Sequence, residues 1–247
     1  MNKKNLKVGV IIQARMMSSR LPGKVMKLLK GEPMLWHIIK RVSEAKLVDE
    51  IIIATTDNEA DMEIIEFCNN NKVKYFIGSE LDVLKRYYEA ALSNKLDVVV
   101  RVTSDCPLID PNVIDKLIEL YIDNNDIDYV TNSIVRTYPR GLECSAFSFK
   151  SLELSHIEAR DSRHREHVVL YIRENPSKFN ILNLENYKDL SNYRLTVDTI
   201  EDFNLIFEIY ERLYEEDKII KIEDAISLLE ENKDLVKINA HIKQKER

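Results

Sequence analysis

Apolar runs of strand length alternate with longer helix-period segments through the first half of the chain, and no other feature restricts the fold as much. The runs are residues 6–13 (LKVGVIIQ), 50–55 (EIIIAT), 72–77, 97–102 and 127–132; helix-period segments occupy 33–45, 59–70, 82–93 and 111–124. Near-continuous Val and Ile runs suit strands covered on both faces, and strands separated by helices return in the same direction through right-handed crossovers. The expected fold class is α/β, a largely parallel sheet with helices on both faces.

The 247 residues suit one large domain, so 1–247 is read as a single unit. Pro33 and Pro111 stand where a first-turn proline is tolerated. Past residue 132 the alternation weakens into an irregular stretch with Pro139 and Gly141, then SAFSFK, a polar helix near 162–174 and short strands near 180–184 and 193–197. This stretch is read as an insertion or flap. Residues 200–247 read as two or three amphipathic helices, the last highly charged.

Composition excludes several classes. The apolar runs are too short to cross a bilayer and the first residues lack a signal peptide's apolar stretch, so no membrane partner and a cytoplasmic location are expected. Cys68, Cys106 and Cys144 are odd in number and widely spaced, which suggests isolated thiols in or near the core. A net charge of −6 argues against a general nucleic-acid surface. Any positive charge for phosphate must therefore be local.

One such place is Q13-A-R-M-M-S-S-R-L-P-G-K24, leaving the carboxyl end of the first strand, where open α/β sheets bind ligands. Arg15, Arg20 and Lys24 bring three cations into ten residues. Gln13, Ala14, Ser18, Ser19 and the backbone around Gly23 add donors for phosphate oxygens. The pattern is neither GxxxxGK[ST] nor GxGxxG. The plain alternative is a solvated basic loop.

R101-V-T-S-D-C-P-L-I-D110 follows the fourth strand. Asp105, just past a buried strand, is the first candidate ligand for a hard cation, with Thr103 and Ser104 beside it as nucleotide contacts. Asp110, before Pro111, is better read as a helix N-cap. In R194-L-T-V-D-T-I-E-D202 a short apolar strand delivers Asp198, the second candidate ligand, while Thr199, Glu201 and Asp202 suit a helix start. Ser79, Asp82 and Arg86 are candidate base contacts, although Glu80 and Asp82 also suit a helix's first turn. Arg140, Gly141 and Glu143, with Arg165, Glu166 and His167, are candidates for an acceptor site. His164 and His167 lack a third ligand at suitable spacing, which favours surface or substrate contact over a transition metal.

Together IIQARMMSSRLPGKVM, GSELDVLKRY, VRVTSDCPLIDP, YPRGLE, REHV and LTVDTIEDF resemble the spore coat polysaccharide F-type branch of the cytidylyltransferases, itself related to the 3-deoxy-manno-octulosonate and acylneuraminate cytidylyltransferases. The match runs in order from residue 8 to about residue 210. It implies a nucleotide-diphospho-sugar transferase fold, Rossmann-like, and transfer of CMP from CTP to a small acidic acceptor in surface polysaccharide biosynthesis. By position, Arg15, Arg20 and Lys24 would hold the triphosphate, Asp82 would lie near the cytosine, and Asp105 and Asp198 would hold Mg²⁺. Residues 133–175 would form an acceptor-side segment and the contact of a homodimer. The sugar-acid enzymes place a second carboxylate two residues before the aspartate matching Asp198, where this chain has Thr196, which implies lighter metal coordination. Two other readings stay open: a transferase using UTP or GTP, and a glycosyltransferase of similar architecture. The latter commonly carries D-x-D at a strand end, and the nearest match here, Asp126-Ile-Asp128, begins a predicted strand instead.

Overall fold

The computed structural model describes residues 6–244. In chain order the first half runs β1 (Val8–Gln13), the short hairpin β2 (Leu28–Leu29) and β3 (Glu32–Pro33), α1 (Met34–Ser43), β4 (Glu50–Thr56), α2 (Met62–Asn70), β5 (Lys74–Gly78), α3 (Val83–Ser93), β6 (Val98–Thr103) and α4 (Pro111–Asp123). Then follow β7 (Tyr129–Thr131), β8 (Ser145–Ser148), α5 (Phe149–Glu158), α6 (Ser162–Glu166), α7 (Leu170–Glu174), β9 (Ile181–Asn183), α8 (Ile200–Leu213), α9 (Ile222–Glu231) and α10 (Lys233–Lys237).

Seven strands form one sheet in the order β5-β4-β1-β6-β8-β7-β9, and only β8 runs against the others. Alternate residues of the central strands feed two cores. Val10 and Ile12, with Val100 and Val102, join one; Ile11, with Ile52 and Val99, joins the other. That is the strand's period of two expressed as burial on both faces. Each fully buried isoleucine contributes roughly 1.5–3 kcal/mol. The chain leaves β1 for β4 and β5 on one side, then returns to lay β6 on β1's other flank. The carboxyl ends of β1 and β6 therefore border a switch point, the place where doubly wound sheets open a ligand crevice.

Residues 133–175 contribute β8 to the sheet, wedged between β6 and β7. Three local features differ from the sequence reading. Helix α5 was not legible: its buried face is Ser151, Leu152 and Ser155, so small polar residues blur the apolar period, and Ser155 satisfies its hydroxyl on the Ser151 carbonyl at 2.7 Å. The helix expected near 162–174 is two short ones, α6 and α7. The strand expected at 193–197 is an extended segment with one parallel bridge, Arg140 to Arg194. Among the described residues no helix is long and apolar enough to cross a membrane.

Candidate active site

The basic loop is fastened before it meets any ligand. The Met16 N–H donates to Asp61 Oδ1 at 2.6 Å, and the Thr56 hydroxyl donates to the other oxygen of the same buried carboxylate. The Ser18 and Gly23 N–H groups both donate to the Met16 carbonyl, at 2.9 and 2.8 Å. Gly23 turns the chain at φ 68° into a short 3₁₀ turn beginning at Lys24, a left-handed conformation that glycine adopts without a Cβ penalty. Lys24 is thereby delivered buried rather than exposed.

The acidic half is assembled by backbone stitching between distant segments. The Val197 N–H donates to the Asp105 carbonyl at 2.8 Å, and the Thr196 hydroxyl donates to the same oxygen at 3.1 Å. Asp105 and Asp198 consequently share one ammonium: Lys24 Nζ lies 3.6 Å from Asp105 Oδ2 and 3.1 Å from Asp198 Oδ1, and donates to the Val197 carbonyl at 2.6 Å. Arg20 adds a contact at 2.8 Å to Asp198 Oδ2, and Arg194 one at 3.3 Å. Thr103 donates to Asp105 Oδ1 at 2.5 Å.

Arg194 is held by Asp202 through two bonds of 2.8 Å and by Gln244 at 2.6 Å, while Asn239 donates to Asp202 Oδ1 at 2.9 Å. Burial alone would raise the Asp202 pKa, but bonds from Arg194, Asn239 and the Asp198 amide hold it below the ordinary carboxylate value. Asp202 also forms a capping box with Thr199 at the helix start expected for α8. Asp110 is the N-cap of α4, its side chain accepting from the Asn112 N–H at 2.8 Å.

A cleft of about 400 Å³ opens above these groups, lined by Gln13, Ala14, Arg15, Ser19, Arg20, Lys24, Arg86, Thr103, Ser104, Asp105 and Asp198 from the sequence-based set. Glu166 and His167 line this cleft rather than the acceptor side assigned to them. Ser79 and Asp82 stand behind its wall, where the Asp82 carboxylate caps α3 through the Lys85 N–H and is gripped by Arg165 at 2.5 and 3.0 Å. Arg165, also assigned to the acceptor, spends its remaining donors on the His156 carbonyl and Nδ1. This pair fastens α6 to the start of α3, so its role here is support. Arg15 meets Glu80 at 3.5 Å on the cleft rim.

An adjoining cavity of about 250 Å³ shares Arg101, Thr103, Asp105 and Asp198 with the cleft and is lined further by Arg140 and Glu143. Gly141 lies behind them: at φ 101°, any Cβ would come within 2.5 Å of the Leu195 carbonyl carbon, and its N–H donates to Glu143 Oε2 at 2.6 Å. Sequence reading missed Arg101, Arg136 and Arg173, which line the same cavity. Arg101 carried a usable signal, a charged residue inside the apolar run VVVRVT; Arg136 and Arg173 carried none. Cys106 and Cys144 also border it, but burial first and neighbouring carboxylates second push both thiols well above their ordinary pKa. They stay protonated and are poor nucleophiles. His164 contacts Glu174 at 2.6 Å on the surface.

Among the described residues no group of three or more His, Cys, Asp or Glu side chains could hold a metal by itself. Two carboxylates converging on one ammonium nevertheless fit a hard cation that takes one or two protein oxygens and completes its shell with phosphate and water. A basic loop, two convergent acids and an adjoining polar cavity suit polyphosphate and a second substrate bound side by side.

The family model described as cytidylyltransferase matches residues 9–245. The chain is 34% identical over 232 residues to the spore coat polysaccharide biosynthesis protein SpsF of Bacillus subtilis, covering 91% of this chain and 94% of that protein. The solved structure of a cytidylyltransferase from Leptospira borgpetersenii serovar Hardjo-bovis superposes with a TM-score of 0.89 at 32% identity, covering 98% of this chain and all of that one (100%). A CMP:2-keto-3-deoxy-manno-octonic acid synthetase complexed with CTP shares the fold, with a TM-score of 0.64 at 18% identity over 83% of this chain and 99% of its own.

Proposed function

The chain belongs to the cytidylyltransferase family, and on that premise we propose that it transfers CMP from CTP to a small anionic acceptor, releasing pyrophosphate. The observation that carries this reading is the shared ammonium of Lys24 between Asp105 and Asp198, at the foot of a cleft whose other wall is the basic loop. Arg15, Arg20 and Lys24 hold the triphosphate, and the bond from the Met16 N–H to the Asp61 carboxylate, with the backbone bonds within the loop, keeps these donors in place before CTP arrives. Asp105 and Asp198 hold Mg²⁺, which when bound supplies charge stabilisation to the phosphate oxygens.

The acceptor oxygen approaches from the Arg101 and Arg140 cavity and forms a bond to the α-phosphorus. The bond from the α-phosphorus to its bridging oxygen breaks, and that electron pair leaves with pyrophosphate. Positioning and charge lower the barrier, so an acceptor that arrives ionised needs no protein base. The name of the Bacillus subtilis relative supports a place in surface polysaccharide biosynthesis. Exposed Ile134, Val135 and Ile157 support self-association through residues 133–175 as a homodimer.

A pyrophosphate-release screen with CTP, UTP, GTP and ATP, each with Mg²⁺ and a panel of sugar acids, phosphorylated metabolites and phosphonates, tests the reading. CTP-selective release is the expected result. Release confined to UTP or GTP would sink the cytidine assignment.

A further inference from the structure

Two of the groups that touch Asp198 are themselves tied to the end of the chain. The Asp198 N–H donates to Asp202 Oδ2 at 3.0 Å, and its Oδ2 lies 3.3 Å from the Arg194 NH2 group. Asp202 is fully buried. Its carboxylate accepts two bonds from Arg194, one each from the Asp198 and Thr199 amides, and one from Asn239 Nδ2. A capping box needs only the bond from the Thr199 amide, so the others serve something besides the start of α8.

Asn239 is buried, and its one side-chain nitrogen donates twice: to Asp202 Oδ1 at 2.9 Å and to the Arg194 carbonyl at 3.0 Å, across 37 and 45 positions. Gln244 Oε1 accepts from Arg194 NH1 at 2.6 Å across 50 positions, and the same side chain lines the cavity bordered by Asp105 and Asp198. Apolar docking of this segment is supplied separately, because Leu229 of α9 and Leu235 of α10 join the core to which Leu205, Ile206 and Ile209 of α8 belong. Apolar contact is non-directional, whereas a hydrogen bond fixes an angle as well as a distance. Asn239 and Gln244 therefore add orientation to a segment that is already docked, and what they orient is the Asp202 carboxylate and the Arg194 guanidinium.

We propose that Asn239 and Gln244 are positioning residues for Asp198, acting through Asp202 and Arg194, so that the far end of the chain fixes one of the two carboxylates offered to the divalent cation. This rests on the reading of Asp198 as a cation ligand. Without the Asn239 donor, Asp202 Oδ1 keeps Arg194 Nε alone and the Arg194 carbonyl loses its amide partner. Loss of a partner that orients a metal ligand typically costs about 10- to 100-fold in metal affinity.

The test uses the full-length protein saturated with CTP, without acceptor, and Mn²⁺ as the probe; bound metal is read from the loss of the free ion's electron paramagnetic resonance signal. Asn239→Leu, which fills the space without a donor, should raise the Mn²⁺ dissociation constant about tenfold. Gln244→Leu should raise it about threefold, the scale of one hydrogen bond, and Gln244→Glu, which keeps an acceptor for Arg194, should restore tight binding. Leu152→Ala supplies a destabilised protein altered in the other core and should bind Mn²⁺ as the wild type does. The proposal is overturned by wild-type affinity in Asn239→Leu and Gln244→Leu while Asp198→Asn weakens binding, by Gln244→Glu binding as weakly as Gln244→Leu, or by equal weakening in Leu152→Ala. Should Asn239→Leu fail to fold, the pair of substitutions at the half-buried Gln244 decides. Unchanged affinity in Asp198→Asn would instead defeat the reading of Asp198 as a cation ligand, and the proposal with it.

Discussion

The Lys24 ammonium stands 3.1 Å from Asp198 Oδ1, joining two side chains 174 positions apart in the sequence. Both are buried, so each depends on the other for charge balance, and the geometry of the basic loop and of the two carboxylates is settled jointly. Removing the lysine leaves Asp198 to Arg20 and Arg194 and removes the donor shared with Asp105. Lys24→Ala should lower kcat/KM for CTP by about 10²- to 10³-fold, the scale of losing a preorganised charge-stabilising donor. Steady-state pyrophosphate release measures it; a loss smaller than threefold would contradict the assignment.

Asp105→Asn keeps the shape of the side chain and the acceptor for Thr103 while removing the charge. It should shift the Mg²⁺ concentration for half-maximal activity upward by about tenfold or more, because Mg²⁺ depends on carboxylate charge. Chelation by EDTA should abolish turnover in the wild-type protein. Activity of the wild type in EDTA equal to that in Mg²⁺ would remove the metal role.

Asp61 belongs to no motif, yet it holds the basic loop through Met16 and Thr56. Asp61→Ala orphans a part-buried amide and a buried hydroxyl and should cost about 2–4 kcal/mol in urea denaturation, the sum expected for two lost partners. KM for CTP should rise as well, since the loop loses its tether. A purely structural role would leave KM unmoved.

Gly141→Ala places a Cβ within 2.5–2.7 Å of the Leu195 and Thr196 backbone at φ 101°. The strain and the clash with backbone should together destabilise the protein by roughly 2–4 kcal/mol. The acceptor KM should rise more than the CTP KM, because Arg140 is displaced first. Calorimetric unfolding and two-substrate kinetics separate the two effects.

His37 is buried against Trp36, Tyr210 and Tyr214, with Nε2 2.7 Å from the Leu29 carbonyl. Burial first, then Arg41 and Lys40, lowers its pKa from 6.5. Between 6.5 and that lowered value the unfolded chain binds more protons than the folded one, so stability falls as pH falls through this window. The effect is absent above 6.5, where both states are neutral. His37→Gln should flatten the decline of Tm between pH 6.5 and 5; an unchanged slope would assign that decline elsewhere.

Local chemistry accounts for what was legible without tertiary structure. Period and run length located β1, β4, β5 and β6 with the helices between them, since burial on one or two faces imprints directly on residue order. Caps at Asp110 and Thr199 were legible for the same reason: the cap bonds to an amide two or three residues away. The basic loop and Asp105 were identifiable because each lies just past an apolar run at a strand's carboxyl end, and Asp198 because it follows a short apolar run that forms one bridge rather than a strand.

Long-range side-chain direction was not written in any local window. Asp82 and Arg165 were assigned to ligands, but packing turns them toward each other across 83 positions, and a carboxylate in such a pair stands behind the cleft. Arg101, Arg136 and Arg173 converge on one cavity from a strand, a loop and a short helix, which no spacing rule links. The tail after residue 215, without a motif, reaches back through Asn239 and Gln244 to hold Asp202 and Arg194. The sequence by itself determined which segments become strands, helices and the basic loop, because those depend on near neighbours. Tertiary structure alone decided which charges face each other, because an ion pair's partner is chosen by where two distant backbones are packed.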